Sequence, residues 1–81
     1  MQVHMRYFAA LREAAGREGE PLDLPPNATV GVVRALLAAR YLPMAPVLSR
    51  SAAAVNRAFV TDETALREGD ELVFIPPVGG G

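Results

Sequence analysis

The 81-residue chain carries eight Arg, nine acidic residues and one His, with no Lys and no Cys, for a net charge of −1. Its 51% hydrophobic and 21% charged residues are the balance of an ordinary folded domain, too apolar for a disordered segment. This length argues against a deep catalytic cleft, because so short a chain buries only around 60% of its unfolded surface; the scattered Arg residues argue against nucleic acid or an anionic membrane as partner, and the missing thiol removes disulfide, persulfide and Cys–metal chemistry.

No charged stretch leads into a long apolar run at the N-terminus, and the apolar region from Val30 to Leu48 is interrupted by Arg34, Arg40, Pro43 and Pro46. The expectation is a cytoplasmic protein, neither exported nor membrane-inserted. In residues 2–8, Val3, Met5 and Tyr7 alternate with Gln2, His4 and Arg6, the pattern of a half-buried strand. Phe8 falls on the polar face, where it either contacts another protein or turns into the next element; this strand leaves both readings open. Residues 9–15 are good helix formers, and Gly16 can supply the left-handed residue that ends a helix.

Residues 20–24 alternate again, but Pro21 lacks a ladder donor, so an edge strand is predicted. After the break at Pro25-Pro26-Asn27, Thr29 is a plausible N-cap for a principal helix over residues 30–40, where Val30, Val33, Leu36 and Leu37 make one apolar stripe. Gly31 within it costs about 1 kcal/mol against Ala, most tolerable near the helix start. Residues 44–49 are expected to add one helical turn. Residues 52–60 predict a hairpin folded about Asn56-Arg57, since Asn tolerates positive φ. An irregular polar crossing over residues 61–67 and a turn at Glu68-Gly69-Asp70 precede a last strand, residues 71–75. Leu72 and Phe74 share one of its faces, and Val73 and Ile75 lie with Glu71 on the other. That suits a central strand covered by the helix on one side and partly by a partner on the other.

The chain closes with Pro76-Pro77-Val78-Gly79-Gly80-Gly81. Glycines without Cβ can thread a narrow channel, and the prolines stiffen the exit before them. The Gly81 carboxylate is a poor electrophile until a partner couples it to AMP; the mixed anhydride is then open to a sulfur or nitrogen nucleophile. With nothing after Gly81, no proteolytic step is expected. The competing reading is an inert, Gly-rich end. Other constellations are weak: His4 stands alone, and Asp62-Glu63 and Asp70-Glu71 are adjacent acids in turns without further residues at ligand spacing, so no metal site is expected.

These elements make an α+β domain over residues 1–76, a mixed sheet covered by one principal helix, followed by a flexible tail at residues 77–81. The arrangement resembles the ubiquitin-like β-grasp fold. Tyr7-Phe8-Ala9-Ala10-Leu11-Arg12-Glu13-Ala14-Ala15-Gly16, Ala54-Val55-Asn56, Gly69-Asp70-Glu71 and Phe74-Ile75-Pro76-Pro77-Val78-Gly79-Gly80-Gly81 together resemble the small, sulfur-carrying subunit of molybdopterin synthase. That family commonly has another residue where Gly79 stands and an aromatic where Ile75 stands. The resemblance implies that a ubiquitin-activating-like adenylyltransferase uses ATP to adenylate Gly81, and that a sulfur donor converts the adenylate to a thiocarboxylate. The charged carrier then docks on the large synthase subunit and donates sulfur to cyclic pyranopterin monophosphate. Catalytic side chains would belong to the partners, and the carrier would hold no cofactor. Period-two counting in a β-grasp sheet adds a contact patch of Phe8, Phe59 and Ile75, continued by Pro76, Pro77 and Val78, with Gly79 and Gly80 as the threading tail. A thiamine-pathway sulfur carrier, a protein modifier joined to lysines through Gly81, and a plain binding module remain alternatives.

Overall fold

Alternation at the start of the chain produces β1 (Gln2–Arg6), in which Val3 and Met5 are buried and His4 and Arg6 exposed. The computed structural model describes residues 1–77; the expectations for Val78, Gly79, Gly80 and Gly81 lie outside them. After β1 come α1 (Ala9–Ala15), β2 (Gly19–Asp23), α2 (Val30–Arg40) and a 3-10 turn (Leu42–Met44) that runs into α3 (Ala45–Leu48). The chain continues through β3 (Ala52–Val55), β4 (Ala58–Val60) and β5 (Glu71–Ile75). One five-stranded sheet has the order β2-β1-β5-β3-β4, with β1 and β5 parallel and the other neighbours antiparallel. Pro21 lies on the edge strand β2, where a missing N–H leaves no partner unpaired, and β5 is central, both as predicted.

The Thr29 hydroxyl accepts from the Val32 N–H at 3.3 Å, capping α2 as its position suggested. Val30, Val33 and Leu37 are fully buried against the inner sheet face formed by Val3, Met5, Leu22, Ala53, Leu72 and Phe74, with Leu36 half-buried beside them. Each such side chain contributes roughly 1.5–3 kcal/mol by leaving water.

Gly31 has a reason beyond tolerance. Its N–H donates to the Asp62 carbonyl at 3.0 Å, and a Cβ there would stand 3.3 Å from the Asp62 Cβ, so glycine lets the β4–β5 crossing press onto the helix. Arg34, on the same helix, grips the same residue: Nη2 donates to Asp62 Oδ1 at 2.7 Å and Nε to both carboxylate oxygens. Its Nη1 donates to the Ser51 carbonyl at 2.8 Å and to that of Leu48, and its guanidinium lies over the Phe74 ring at 4.9 Å. The crossing is irregular as predicted but not wholly polar: Leu66 is buried, its N–H donates to the Ala28 carbonyl at 2.8 Å, and Ala65 bridges to Thr29.

Two of the sequence segments singled out above meet as one clamp. Asn56 and Arg57 both have positive φ, 49° and 72°, the geometry that joins twisted strands through a two-residue loop. Asn56 Nδ2 donates to Asp70 Oδ1 at 2.8 Å, and Asn56 Oδ1 accepts from the Glu71 N–H at 3.0 Å. Asp70 Oδ2 also accepts from the Arg67 N–H at 2.8 Å, and the turn uses Gly69 at φ 84°. Side-chain hydrogen bonds compensate Asn56; nothing equivalent compensates Arg57. Arg57→Gly is expected to stabilise the chain by about 0.5–1 kcal/mol in denaturant titration, since left-handed backbone suits Gly better than a residue with Cβ. An unchanged midpoint would mean that Arg57 carries no strain.

Candidate functional site

The sheet face turned away from α2 carries the predicted contact residues. The pairing register aligns Phe59, Ala54, Val73 and Arg6 in one row across β4, β3, β5 and β1. Ile75 pairs with Ala52 one step along. Carrying the β1–β5 register on by two residues sets Phe8, still in extended backbone, beside Ile75. Phe59 is 73% exposed, Phe8 48% and Ile75 36%, large apolar areas that a lone domain leaves in water. Pro76 is half-buried and Pro77 exposed at the same end of β5. The structure thus turns Phe8, Phe59 and Ile75 to one face of the sheet, with Pro76 and Pro77 following at the end of β5.

Phe8 resolves the choice left open by its strand, because both readings hold at once. It occupies the N-cap position of α1 and also stays outward, with the Arg6 guanidinium over its ring at 5.3 Å. Ala9 turns the chain at φ 47°, left-handed backbone that costs strain in a residue with Cβ. Charges border the apolar centre: Arg6 faces Glu71 at 3.8 Å and Arg12 faces Glu18 at 3.7 Å. These exposed pairs contribute little stability and border the apolar residues with charge. Ala54 was legible only as one of several small residues in a hairpin; the register puts it between Phe59 and Val73, where its short side chain keeps the face flat. No group of three His, Cys, Asp or Glu among the described residues stands close enough to hold a metal.

Behind this face lies a charged cluster that sequence reasoning missed. Glu20 shares its side of β2 with buried Leu22, so its carboxylate enters the space between the sheet and the end of α2. Oε2 accepts from the Tyr7 and Tyr41 hydroxyls at 2.6 and 2.7 Å, while Arg40 and Arg17 stand 3.3 and 3.5 Å from Oε1. Burial by itself raises this carboxyl, but the two hydroxyl bonds and the two cations outweigh it and hold it below its ordinary value. Burial first, then the Glu20 carboxylate, pushes the Tyr7 phenol well above the usual tyrosine range. The cluster ties α2 to the end of β1 and holds the backbone that delivers Phe8 to the surface. A signal was present: Tyr7 counts onto the core face, where its hydroxyl needs a partner, and Glu20 counts onto the same face as Leu22.

A model of the ThiS family matches residues 5–81. The chain belongs to the ThiS family. This family member is 34% identical to the molybdopterin synthase sulfur carrier subunit of Chlamydomonas reinhardtii, over 100% of both chains. Its fold matches small archaeal modifier protein 1 from Methanosarcina acetivorans with a TM-score of 0.84 at 28% identity, covering 99% of this chain and 96% of that one. It also matches a chain in the complex of subunits 1 and 2 of molybdopterin-converting factor from Helicobacter pylori, with a TM-score of 0.74 at 26% identity and 100% coverage of both. The sheet order and the covering helix are the ubiquitin-like β-grasp fold expected from the sequence.

Proposed function

We propose that this chain is the sulfur carrier of molybdenum cofactor biosynthesis and the small subunit of molybdopterin synthase. The observation that carries the reading is end-to-end similarity to a sulfur carrier subunit, in a Cys-free chain whose sequence finishes Gly79-Gly80-Gly81. Gly81 attacks the α-phosphorus of ATP on an adenylyltransferase, releasing pyrophosphate and leaving an acyl adenylate. A donor delivers sulfur at the sulfide level, the sulfide attacks the acyl carbon, AMP departs, and a thiocarboxylate remains. The carrier then docks through Phe8, Phe59 and Ile75, while Pro76, Pro77 and Val78 direct Gly79, Gly80 and Gly81 into the large subunit. There the sulfur passes to cyclic pyranopterin monophosphate. ATP belongs to the activating partner, the chemistry belongs to partner side chains, and the setting is the cytoplasm. No helix among the described residues is long and apolar enough to cross a membrane.

The test is intact-mass measurement after incubation with the activating partner, Mg-ATP and a sulfur source. The expected product gains the mass difference of one oxygen replaced by sulfur, and deleting Gly81 or extending the chain beyond it abolishes that product while the fold persists. Normal charging of the extended chain would refute the mechanism. Likeness to an archaeal modifier protein supports a second reading, attachment to other proteins through Gly81. Isopeptide adducts in cell extract, together with absent synthase activity, would favour it.

A further inference from the structure

We infer that this chain is an acyl donor only: its surface is built so that an activated Gly81 finds no amine on the carrier itself or on another copy. The inference rests on the activated carboxyl group proposed above. An unprotonated amine attacks an acyl adenylate or thioester carbon, forms an amide, releases AMP or thiol, and gives its proton to solvent. The most dangerous amines are those on the carrier, since two groups joined through the same short chain meet at an effective concentration of about millimolar.

Lys is among the commonest residues in proteins, yet all eight basic residues here are Arg. Seven of them, every one except half-buried Arg34, are exposed. The surface therefore has its cations and its ion pairs, while a guanidinium, a delocalised cation without a free lone pair, does not attack acyl carbon. The α-amine of Met1 donates to the Leu24 carbonyl at 2.8 Å and is partly buried. It also lies at the far end of the sheet from the tail exit, because β1 runs parallel to β5. The serine and tyrosine hydroxyls are engaged: Tyr7 and Tyr41 donate to Glu20, Ser51 to the Val47 carbonyl and Ser49 to that of Pro46. Two consequences follow. The activated carrier persists until a partner's nucleophile arrives, and any protein adduct formed through Gly81 stops at one copy, with no side-chain amine to extend it.

The experiment compares wild type, Arg50→Lys and Arg67→Lys in two forms. One form is the full chain charged by the activating partner with Mg-ATP and no sulfur donor; the other is the same chain prepared with a C-terminal thioester, which needs no enzyme. Arg50 is exposed and lies near Ala52, the residue paired with Ile75 where the tail departs. Residues 76–81 span up to about 20 Å, so an amine at that position is within reach. Arg67 lies near the opposite end of β5, before Gly69. The wild-type thioester is expected to decay only by hydrolysis to the free acid. The Arg50→Lys thioester should lose its thiol at least tenfold faster and yield a cyclic amide, the free-acid mass less one water, while Arg67→Lys yields mainly covalent dimers at high protein concentration. Covalent dimers or cyclic product from wild type, or an Arg50→Lys thioester no shorter-lived than wild type, would overturn the inference. If the thioesters behave as expected but the partner never charges the wild type, the functional reading falls and the acyl-donor property stands.

Discussion

Truncating Phe74 to Ala is expected to destabilise the fold by about 3–5 kcal/mol, whereas truncating Phe59 to Ala leaves stability nearly unchanged and weakens binding to the large synthase subunit at least tenfold. The two rings lie on opposite faces of one sheet. Phe74 is 1% exposed in the core, and its truncation opens a cavity and removes the ring on which the Arg34 guanidinium stacks. For a domain of this size, 3 kcal/mol corresponds to a fall in Tm of about 12 °C or more. Phe59 is 73% exposed on the outer face of edge strand β4 and touches little that its removal would disturb. A tenfold loss of affinity corresponds to about 1.4 kcal/mol, a modest loss for an aromatic anchor at an interface centre. Thermal denaturation and titration calorimetry separate the outcomes. A Phe59→Ala protein that binds normally would move the docking surface away from this face, and one that melts much lower would place Phe59 in the core.

Replacing Glu20 with Ala should cost about 3 kcal/mol or more, because the change leaves two tyrosine hydroxyls and two guanidinium groups without their shared carboxylate. The pH dependence carries a sharper signature. In the folded chain the Glu20 carboxyl lies below its ordinary value, so the folded state binds this proton less readily than the unfolded state. Its stabilisation is complete above the ordinary glutamate range near about 4.3 and is lost as pH falls through the folded value. Tyr7 works with the opposite sign. Its phenol lies above the ordinary range, so its stabilisation is complete below about pH 10 and is lost as pH rises beyond that. Denaturant midpoints across pH should fall at both ends in wild type. Glu20→Gln should flatten the acid limb, weaken the alkaline limb and lower the plateau by about 1.5–3 kcal/mol. An acid limb that Glu20→Gln leaves intact would assign it to another carboxylate.

Local patterning made most of the fold legible. Period-two alternation placed Val3, Met5, Leu72 and Phe74 inward and Ile75 outward, Thr29 and Gly16 marked helix ends, and Pro21 marked an edge. Each depends on interactions within a few residues, which sequence spacing records directly. One boundary shifted: β1 is bounded at Arg6 although Tyr7 continues its pairing by donating its N–H to the Glu18 carbonyl, and the chain turns into α1 only at Ala9, φ 47°. Leu66 escaped notice because one apolar residue in a polar crossing has no period, and only its contact with the Ala28 carbonyl and the core beneath α2 makes it structural.

By itself the sequence determined the parts that follow from composition and short-range order: a Cys-free, Lys-free chain, strand faces, a capped principal helix, and a Gly-rich end. Only the tertiary structure decided which of those parts meet. Asn56 and Asp70 hydrogen-bond 14 positions apart, Arg34 and Asp62 28 apart, and Tyr41 and Glu20 21 apart. Such pairings depend on strand order and register, which loop closure and core packing select together and which no local spacing encodes. The same holds for the exposed apolar face. Counting could turn Phe8, Phe59 and Ile75 outward one strand at a time, but the order β1-β5-β3-β4 is what sets them on a single surface, with Ala54 and Val73 between.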